Sequence, residues 1–314
     1  MFFPTAGIEV NPFIPFVVAF VVSFFMSMGG ISGAFLLLPF QMSFLGYINP
    51  SVSATNHLYN VVAIPSGVIR FIQEKRMVWP LTWIVVIGTL PGVLLGAIIR
   101  IKWLPDAASF KPFAGFVLLY IGGRLVLDLL RPQKAGQVKA EEAFRNLVKN
   151  FKETAQNQDV SSLQVVTVIS KGLSKIEYEF YGERFSFSTK GVFFLCFVVG
   201  MVGGTYGIGG GAIMAPFLVS FFGLPIYTIA GATLMGTFIT SFAGVGFYML
   251  IAPYYPNLSV SPDFALGILL GVGGMCGMYC GARMQKHVPA KLLKWALAIV
   301  ITFTALSYLS VLFH

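Results

Sequence analysis

Between Gly203 and Pro216 the chain reads Gly-Gly-Thr-Tyr-Gly-Ile-Gly-Gly-Gly-Ala-Ile-Met-Ala-Pro, in the middle of an apolar run. Glycine in a helix costs roughly 1 kcal/mol relative to alanine, so no helix is expected to continue through this stretch, and its peptide groups must find partners elsewhere. A weaker copy lies earlier, at Gly29-Gly30-Ile31-Ser32-Gly33-Ala34, where Gly30, Gly33 and Pro39 align with Gly207, Gly210 and Pro216 at one constant offset. The surroundings decide what such breaks mean. Hydrophobic residues make up 56% of the chain and charged ones 11%, with a mean hydropathy of +0.81, against roughly 25% charged in ordinary soluble domains. That composition predicts a polytopic protein of the cell membrane. In lipid, a broken backbone is tolerated only where it is buried in protein or lines a cavity, so the two breaks are expected at the centre of the fold and of its function.

The net charge of +9 does not point to nucleic acid. Of 21 Lys and Arg, 10 fall between Arg131 and Lys190, and most others flank apolar runs, as topology signals do. Cys196, Cys276 and Cys280 lie inside apolar runs, so neither a disulfide framework nor a metal site is expected. Met1 to Asn11 contains no Lys or Arg, which argues against a cleaved signal peptide and for a retained first helix.

In chain order, Pro12 to Met28 is a helix-like run stopped by the first break, and Ala34 to Gly46 is a second run of only 13 residues. Thirteen helical residues reach about 20 Å, short of the roughly 30 Å hydrocarbon core, so this pair reads as a broken, re-entrant hairpin. Spans are expected over Val52 to Phe71, Trp79 to Ile99 and Pro112 to Leu130, with a loop from Arg100 to Lys111. Lys139 to Gln156 has the spacing of an amphipathic helix, and Lys175 to Ser188 the alternation of a β-hairpin around Tyr181-Gly182. This small α+β insert is expected to lean on the membrane part or on a second copy, which makes a homo-oligomer compatible with the chain. The second half repeats the first: a run from Gly191, the glycine break, a short run to Phe222, spans over Ile226 to Ile251 and Phe264 to Met284, and a last helix from Lys291. Ser66-Gly67 matches Ala243-Gly244, and Gly92 and Gly96-Ala97 match Gly277 and Gly281-Ala282. The expected division is therefore 1–131, first transmembrane repeat; 132–189, cytoplasmic insert; 190–314, second transmembrane repeat.

Five elements per half is an odd number, so placing the basic insert and Arg70 to Arg76 in the cytoplasm turns the second half upside down relative to the first. Lys102 and Lys111 are the exceptions, since this scheme puts them outside. Two inverted halves, each with a short interrupted pair at the same position, is the pattern of a secondary transporter with its site at the repeat interface. The doubled glycine segment followed by Pro39-Phe40 and Pro216-Phe217, together with Ala54-Thr55-Asn56, Ala232-Thr233-Leu234 and the Gly-x-x-x-Gly-Ala pairs, resembles the TauE/SafE family of sulfite exporters, also called toluene sulfonate uptake permeases. The resemblance covers both membrane halves but not the insert. It implies transport of a sulfur-containing anion such as sulfite, sulfoacetate or another organosulfonate. First-half Ser32 and Ala34 stand where the second half has Gly209 and Gly211, so the first break is the less glycine-rich.

Taken alone, the residues also suit an anion. A helix restarting after a break aims N–H groups and about half a positive charge at what precedes it. On that basis Gly30, Ser32 and Gly33 of the first break and Gly207, Gly209 and Gly210 of the second are candidate substrate contacts, although glycines also serve simply to bring helices close. Thr55, Asn56 and His57 begin the third helix, with Asn60 behind them, and Thr233 and Thr237 occupy the matching helix, followed by Thr240 and Ser241. Their hydroxyls and amides can donate to sulfonate oxygens or satisfy neighbouring carbonyls. His57 reads either as an anion or proton carrier or as a packing histidine near the membrane face. Arg124 and Asp128, four apart, are expected to neutralise one another.

No catalytic constellation, Walker segment or cofactor motif is present, and no Asp or Glu is expected deep in a span. One charge crossing 100 mV is worth about 2.3 kcal/mol, so an anion leaving an inside-negative cell gains roughly fiftyfold in concentration ratio without a proton relay. Export of a sulfur anion is the expected function, with bilayer lipid and a second copy of the chain as the other expected partners. The alternatives are an uptake permease for another small anion and a sensor or scaffold acting through the insert.

Overall fold

The computed structural model describes residues 1–28, 32–73, 77–130, 166–172, 174–180, 183–284 and 290–310. Two short strands, β1 (Phe2–Phe3) and β2 (Ile8–Glu9), precede α1 (Phe13–Met28). Beyond the first break come α2 (Ala34–Pro39) and a π-helical turn, Phe40–Phe44, then α3 (Ser51–Ala63) and α4 (Pro65–Gln73). The sequence suggested one span over Val52 to Phe71. Pro65 interrupts it: Ile64 keeps helical angles, but proline has no N–H to donate to the turn behind, so the hydrogen-bond ladder breaks there.

Two long helices follow, α5 (Trp79–Lys102) and α6 (Ala107–Leu130). The loop expected from Arg100 to Lys111 shrinks to the few residues around Pro105, because both helices extend into it. The second half contains α7 (Thr189–Tyr206), α8 (Met214–Ser220), α9 (Ile226–Ile251), α10 (Phe264–Met284) and α11 (Ala290–Leu309). Among the described residues four helical stretches are long and apolar enough to cross a membrane, namely Trp79–Lys102, Thr189–Tyr206, Thr228–Tyr254 and Phe264–Gly281. Phe13–Ser27 and Ala34–Phe44 are apolar but shorter.

Hydrogen bonds fix which ends lie together. Thr5 and Ala6 donate their N–H groups to Asp263 Oδ2 at 3.2 and 3.1 Å, Ser259 Oγ donates to Thr5 O at 2.7 Å, and Ser51 N–H donates to Ser259 O at 2.9 Å. The starts of α1, α3 and α10 and the turn after α9 therefore share one face of the bundle, the first face. At the opposite, second face, Tyr178 and Thr228 share a 2.8 Å hydrogen bond and Thr189 N–H donates to Ser174 O at 3.1 Å, joining the β-sheet to the starts of α7 and α9. The chain that leaves the first face in α1 is back on it at Ser51, and the chain that leaves the second face in α7 is back on it by Thr228. α3 begins on the face where α9 ends.

Close packing follows the glycines. A Cβ built on Gly92 would sit 2.3 Å from Phe197 O and one on Gly96 2.3 Å from Met201 O, so α5 and α7 touch backbone to backbone and run parallel. The same contact recurs between α10 and α1, with Gly277 facing Phe20 O and Gly281 facing Phe24 O, each at 2.2 Å. Without water to drive helices together, small residues that allow such approach supply much of the association in lipid. α6 pairs with α11, and α3 and α9 cross in the middle, packed on α10 and α5 respectively.

At the second face, β3 (Val166–Lys171), β4 (Lys175–Phe180) and β5 (Glu183–Ser188) form an antiparallel sheet in that order. Ile176 pairs with Phe187 and Tyr178 with Phe185, which puts the apolar alternation on one side, where Ile176, Tyr178, Phe180 and Phe187 are buried. Strand β3 has no counterpart in the sequence reading. The amphipathic helix expected over 139–156 lies outside the described residues.

Candidate functional site

The second break begins as a helix C-terminus. Gly207 and Ile208 both donate N–H to Gly203 O at 2.9 Å, and Gly207 and Gly209 take the left-handed φ values of +84° and +78° that favour glycine. Added Cβ atoms would lie 2.6 Å from Ser53 Cα at Gly207 and 2.3 Å from Thr89 Cβ at Gly210. The loop is thereby clamped between α3 and α5, while α9 closes the third side: Gly210 N–H donates to Thr240 Oγ1 at 3.2 Å, and a Cβ on Gly209 would meet Ser241 Oγ at 2.8 Å and Thr237 Cγ2 at 2.9 Å.

Onto this loop α3 projects two asparagines one helical turn apart. Asn56 Nδ2 donates to Gly207 O at 3.0 Å and to Ala34 O, just past the first break, at 2.8 Å. Asn60 Nδ2 donates to Ile208 O at 3.0 Å and to Ser241 Oγ at 3.2 Å, while its Oδ1 accepts from Ser32 Oγ at 2.7 Å. One helix thus ties both breaks and α9 together through carboxamides. His57 Nδ1 shares a 3.2 Å hydrogen bond with Ser241 Oγ. Its Nε2 has no partner: the Gly204 carbonyl lies nearby but outside hydrogen-bond geometry. All of these side chains are fully or almost fully buried. The buried charged side chains among the described residues are Arg100 and Asp263, both bonded to first-face segments.

Ser32, Asn56, His57, Gly207, Gly209, Gly210 and Thr237 are brought to one place. Thr233 reaches it by its backbone, for a Cβ on Gly211 would be 2.0 Å from Thr233 O, whereas its hydroxyl donates to Ala230 O. Thr55 is elsewhere: its hydroxyl pairs with Tyr47 OH at 2.8 Å and accepts from Asp263 N–H at 2.9 Å, toward the first face. Gly33 packs against Tyr59 and Ser23, and Gly30 lies outside the described residues. His57, which one reading placed near the membrane face, is in the interior beside Gly244.

The chemistry presented also differs from the expected one. The N–H groups of Gly207, Ile208 and Gly210 are already engaged, and α8 is only seven residues long. The carbonyls of Gly207 and Ile208 are what the break offers, and asparagine amides occupy them. Thr237 and Thr240 donate to carbonyls of their own helix at 2.8 and 2.6 Å. The donors that the cluster presents are therefore side-chain amides and the His57 ring. Gln41 belongs with them, although nothing in the sequence reading singled it out. It is fully buried, donates weakly to Asn56 Oδ1 at 3.4 Å, and its Oε1 has no partner. The available signal was a long polar side chain alone in the run Ala34 to Gly46. Among the described residues no group of three His, Cys, Asp or Glu converges as metal ligands would. Arg124 lies over the Phe221 ring at 5.4 Å, and the Asp128 side chain is outside what is described.

The profile of the family described as sulfite exporter TauE/SafE matches residues 15–308, which takes in both glycine breaks and every helix that contributes to this cluster. The chain belongs to the TauE/SafE sulfite exporter family. It is therefore a multi-pass membrane protein of that family. It is similar to the probable membrane transporter protein YunE of Bacillus subtilis (strain 168), at 25% identity over 207 residues. That match covers 63% of this chain and 64% of the relative, just under two thirds of its length. No solved structure matches the chain.

Proposed function

We propose that this TauE/SafE transporter exports sulfite or a related sulfur-containing anion, such as sulfoacetate or another organosulfonate. The anion is held where the two glycine breaks meet between inverted repeats. The observation that carries the reading is the ring of uncharged donors, Asn56, Asn60 and His57 with Ser32 and Ser241, gathered from both halves around a broken backbone. A small oxyanion needs hydrogen-bond donors and an interior without carboxylates. Asn56 and Asn60 supply the first, and the buried charged side chains at the first face leave the second intact. The inverted arrangement is supported by the exchanged pairings, α1 on α10 and α7 on α5, and by the opposite directions of α3 and α9. Residues 132–189 are assigned to the cytoplasmic side, which makes the second face cytoplasmic.

Binding exchanges partners rather than filling vacant ones. An anion entering the cluster takes amide protons from the carbonyls of Gly207 and Ile208, and freeing those carbonyls loosens the link between α3 and the break. Substrate occupancy and movement of the halves are then the same event, as alternating access around a mid-membrane site requires. Flux of sulfite, thiosulfate and sulfonates from loaded proteoliposomes, with chloride and phosphate as comparison anions, tests the reading. Sulfur anions are expected to move faster than either comparison anion, and faster when the membrane potential favours their exit. Equal or absent flux for every sulfur anion would overturn it.

A further inference from the structure

Three buried polar atoms without hydrogen-bond partners lead from the central cluster toward the first face: His57 Nε2, Tyr248 OH and Arg100 Nε. The His57 and Tyr248 rings are 6.1 Å apart between centroids. Tyr248 stands one turn of α9 beyond Gly244, where an added Cβ would be 3.2 Å from His57 Nε2. Ser53 lies beside the Tyr248 hydroxyl, but its Oγ donates to Thr205 O at 3.3 Å, and the phenol is left unbonded.

Tyr248, Asp106 and Tyr47 are the electrostatic neighbours of Arg100. This arginine is completely buried in the last turn of α5. It donates to the carbonyls of Leu104 and, at 3.3 Å, Ile48, and its guanidinium lies 4.1 Å above the Phe110 ring. It makes no ion pair among the described residues. A buried cation is normally paired, and one that is not marks a place where charge is wanted. A cleft of about 310 Å³ opens at the same end of α5, lined by Ile98, Lys102, Phe247, Ile251, Tyr254 and Tyr255. Lys102, with Lys111, is one of the cations that charge counting placed on the external side against the rule. An anion route to that face gives them a reason to be there.

We propose that Arg100 and Tyr248 form a second anion subsite between the central cluster and the first-face cleft, where a sulfite-sized oxyanion is held by the guanidinium Nε–H and the phenolic O–H. The subsite rests on the reading of the chain as a sulfur-anion transporter. An arriving anion supplies a charge partner in contact with Arg100, which Asp106 offers only from a distance, and the missing acceptor for Tyr248. Its attraction to Lys102 then draws it into the cleft.

The test titrates sulfite into the full-length protein in nanodiscs by calorimetry, alongside sulfite flux in proteoliposomes. Wild type is expected to bind at two sites. Tyr248→Phe removes only an unbonded hydroxyl, which a structural role would leave without effect, yet it is expected to weaken one site about tenfold, the loss of one hydrogen bond to a charged partner. Arg100→Met is expected to abolish that site and Arg100→Lys to restore part of it, while Asn60→Leu removes the other site. Should Arg100→Met fail to fold, Tyr248→Phe decides alone. A Tyr248→Phe isotherm equal to wild type, or a single wild-type site that Asn60→Leu abolishes, overturns the subsite and leaves the central reading standing. A wild type that neither binds nor moves sulfite overturns both.

Discussion

Asn60 is the side chain on which the central cluster closes, and replacing it separates architecture from substrate binding. Asn60→Leu keeps the branched skeleton, with slightly more bulk, and removes three hydrogen bonds, to Ile208 O, Ser241 Oγ and Ser32 Oγ. Side-chain hydrogen bonds in membrane proteins average about 0.6 kcal/mol and reach about 1.7 kcal/mol. The variant should therefore be less stable by about 2 to 5 kcal/mol, measured as the free energy of SDS-driven unfolding in mixed micelles. Asn60→Asp keeps the shape and the bond from Ser32 and can accept from the Ser241 hydroxyl, but turns the bond to Ile208 O into a contact between oxygens. An ionised carboxylate there would repel a bound anion 4 to 5 Å away by about 3 to 4 kcal/mol at an effective dielectric near 20. That corresponds to a loss of affinity of roughly two to three orders of magnitude. The paired assay is sulfite flux at saturating and subsaturating concentrations. Unfolding free energy equal to wild type for Asn60→Leu would show that the hydrogen bonds do not hold the break. Sulfite KM equal to wild type for Asn60→Asp would show that the anion does not bind there.

Three further outcomes follow from the packing. Gly92→Ala places a methyl group 2.3 Å from Phe197 O and should cost about 1 to 3 kcal/mol as α5 and α7 separate, whereas Gly246→Ala, with nothing within 4 Å, should leave unfolding unchanged. Gly33→Ala would bring its Cβ to 2.8 Å from Tyr59 OH; flux lost in that variant should return in part when Tyr59→Phe is added, and absence of rescue would place the obstruction elsewhere. In a background lacking Cys196, Cys276 and Cys280, cysteines at Trp103 and Tyr254, 65% and 80% exposed, should react with a membrane-impermeant reagent added outside intact cells. A cysteine at Lys175, on the sheet of the second face, should react only in inverted vesicles, and labelling of all three from one side would refute the assignment of faces.

The fold was legible wherever the cause was local and apolar. The glycine breaks, the short runs beside them and the duplicated Gly-x-x-x-Gly spacing of α5 and α10 are all visible in order along the chain. Their partners are not. Nothing in the sequence says that Gly92 meets Phe197 or that Gly277 meets Phe20, because small residues advertise a close approach without naming what approaches. The division of the third span at Pro65 was missed although the proline marks it, and β3 was missed because its pairing with β4 leaves no alternation as clear as that of the hairpin. Several of the polar residues singled out along the chain do lie together, but the groups they present differ from those expected. Asn56, His57 and Thr237 stood out as polar residues in apolar helices. Thr55 shares that helix but points toward Tyr47 and Asp263, a difference of direction around the helix that neighbouring residues in a list do not reveal. The break itself suggested free N–H groups, yet its carbonyls are what the asparagines bind, because a left-handed glycine at a helix end folds its own amides back onto the last turn.

If the protein exports an anion as proposed, an interior cluster of amides and hydroxyls with the buried Arg100 at one end has a thermodynamic logic. A lysine or arginine at the centre would have to be stripped of water in every cycle without substrate, and would hold an oxyanion too tightly to release it. Asn56 and Asn60 avoid both difficulties, since the donors they would offer an anion are the ones that bind Gly207 O and Ile208 O in its absence. A substrate bound there would gain only the difference between two sets of hydrogen bonds, so on the proposed reading binding is shallow and release fast. The membrane potential then supplies the direction, at about 2.3 kcal/mol per charge for each 100 mV. On this account affinity and conformational coupling trade against each other at the same two carbonyls. A variant that strengthened sulfite binding by removing the competition, such as one that displaced Gly207 O from Asn56, should bind more tightly and turn over more slowly. Faster turnover together with tighter binding in such a variant would show that the asparagines do not link the two.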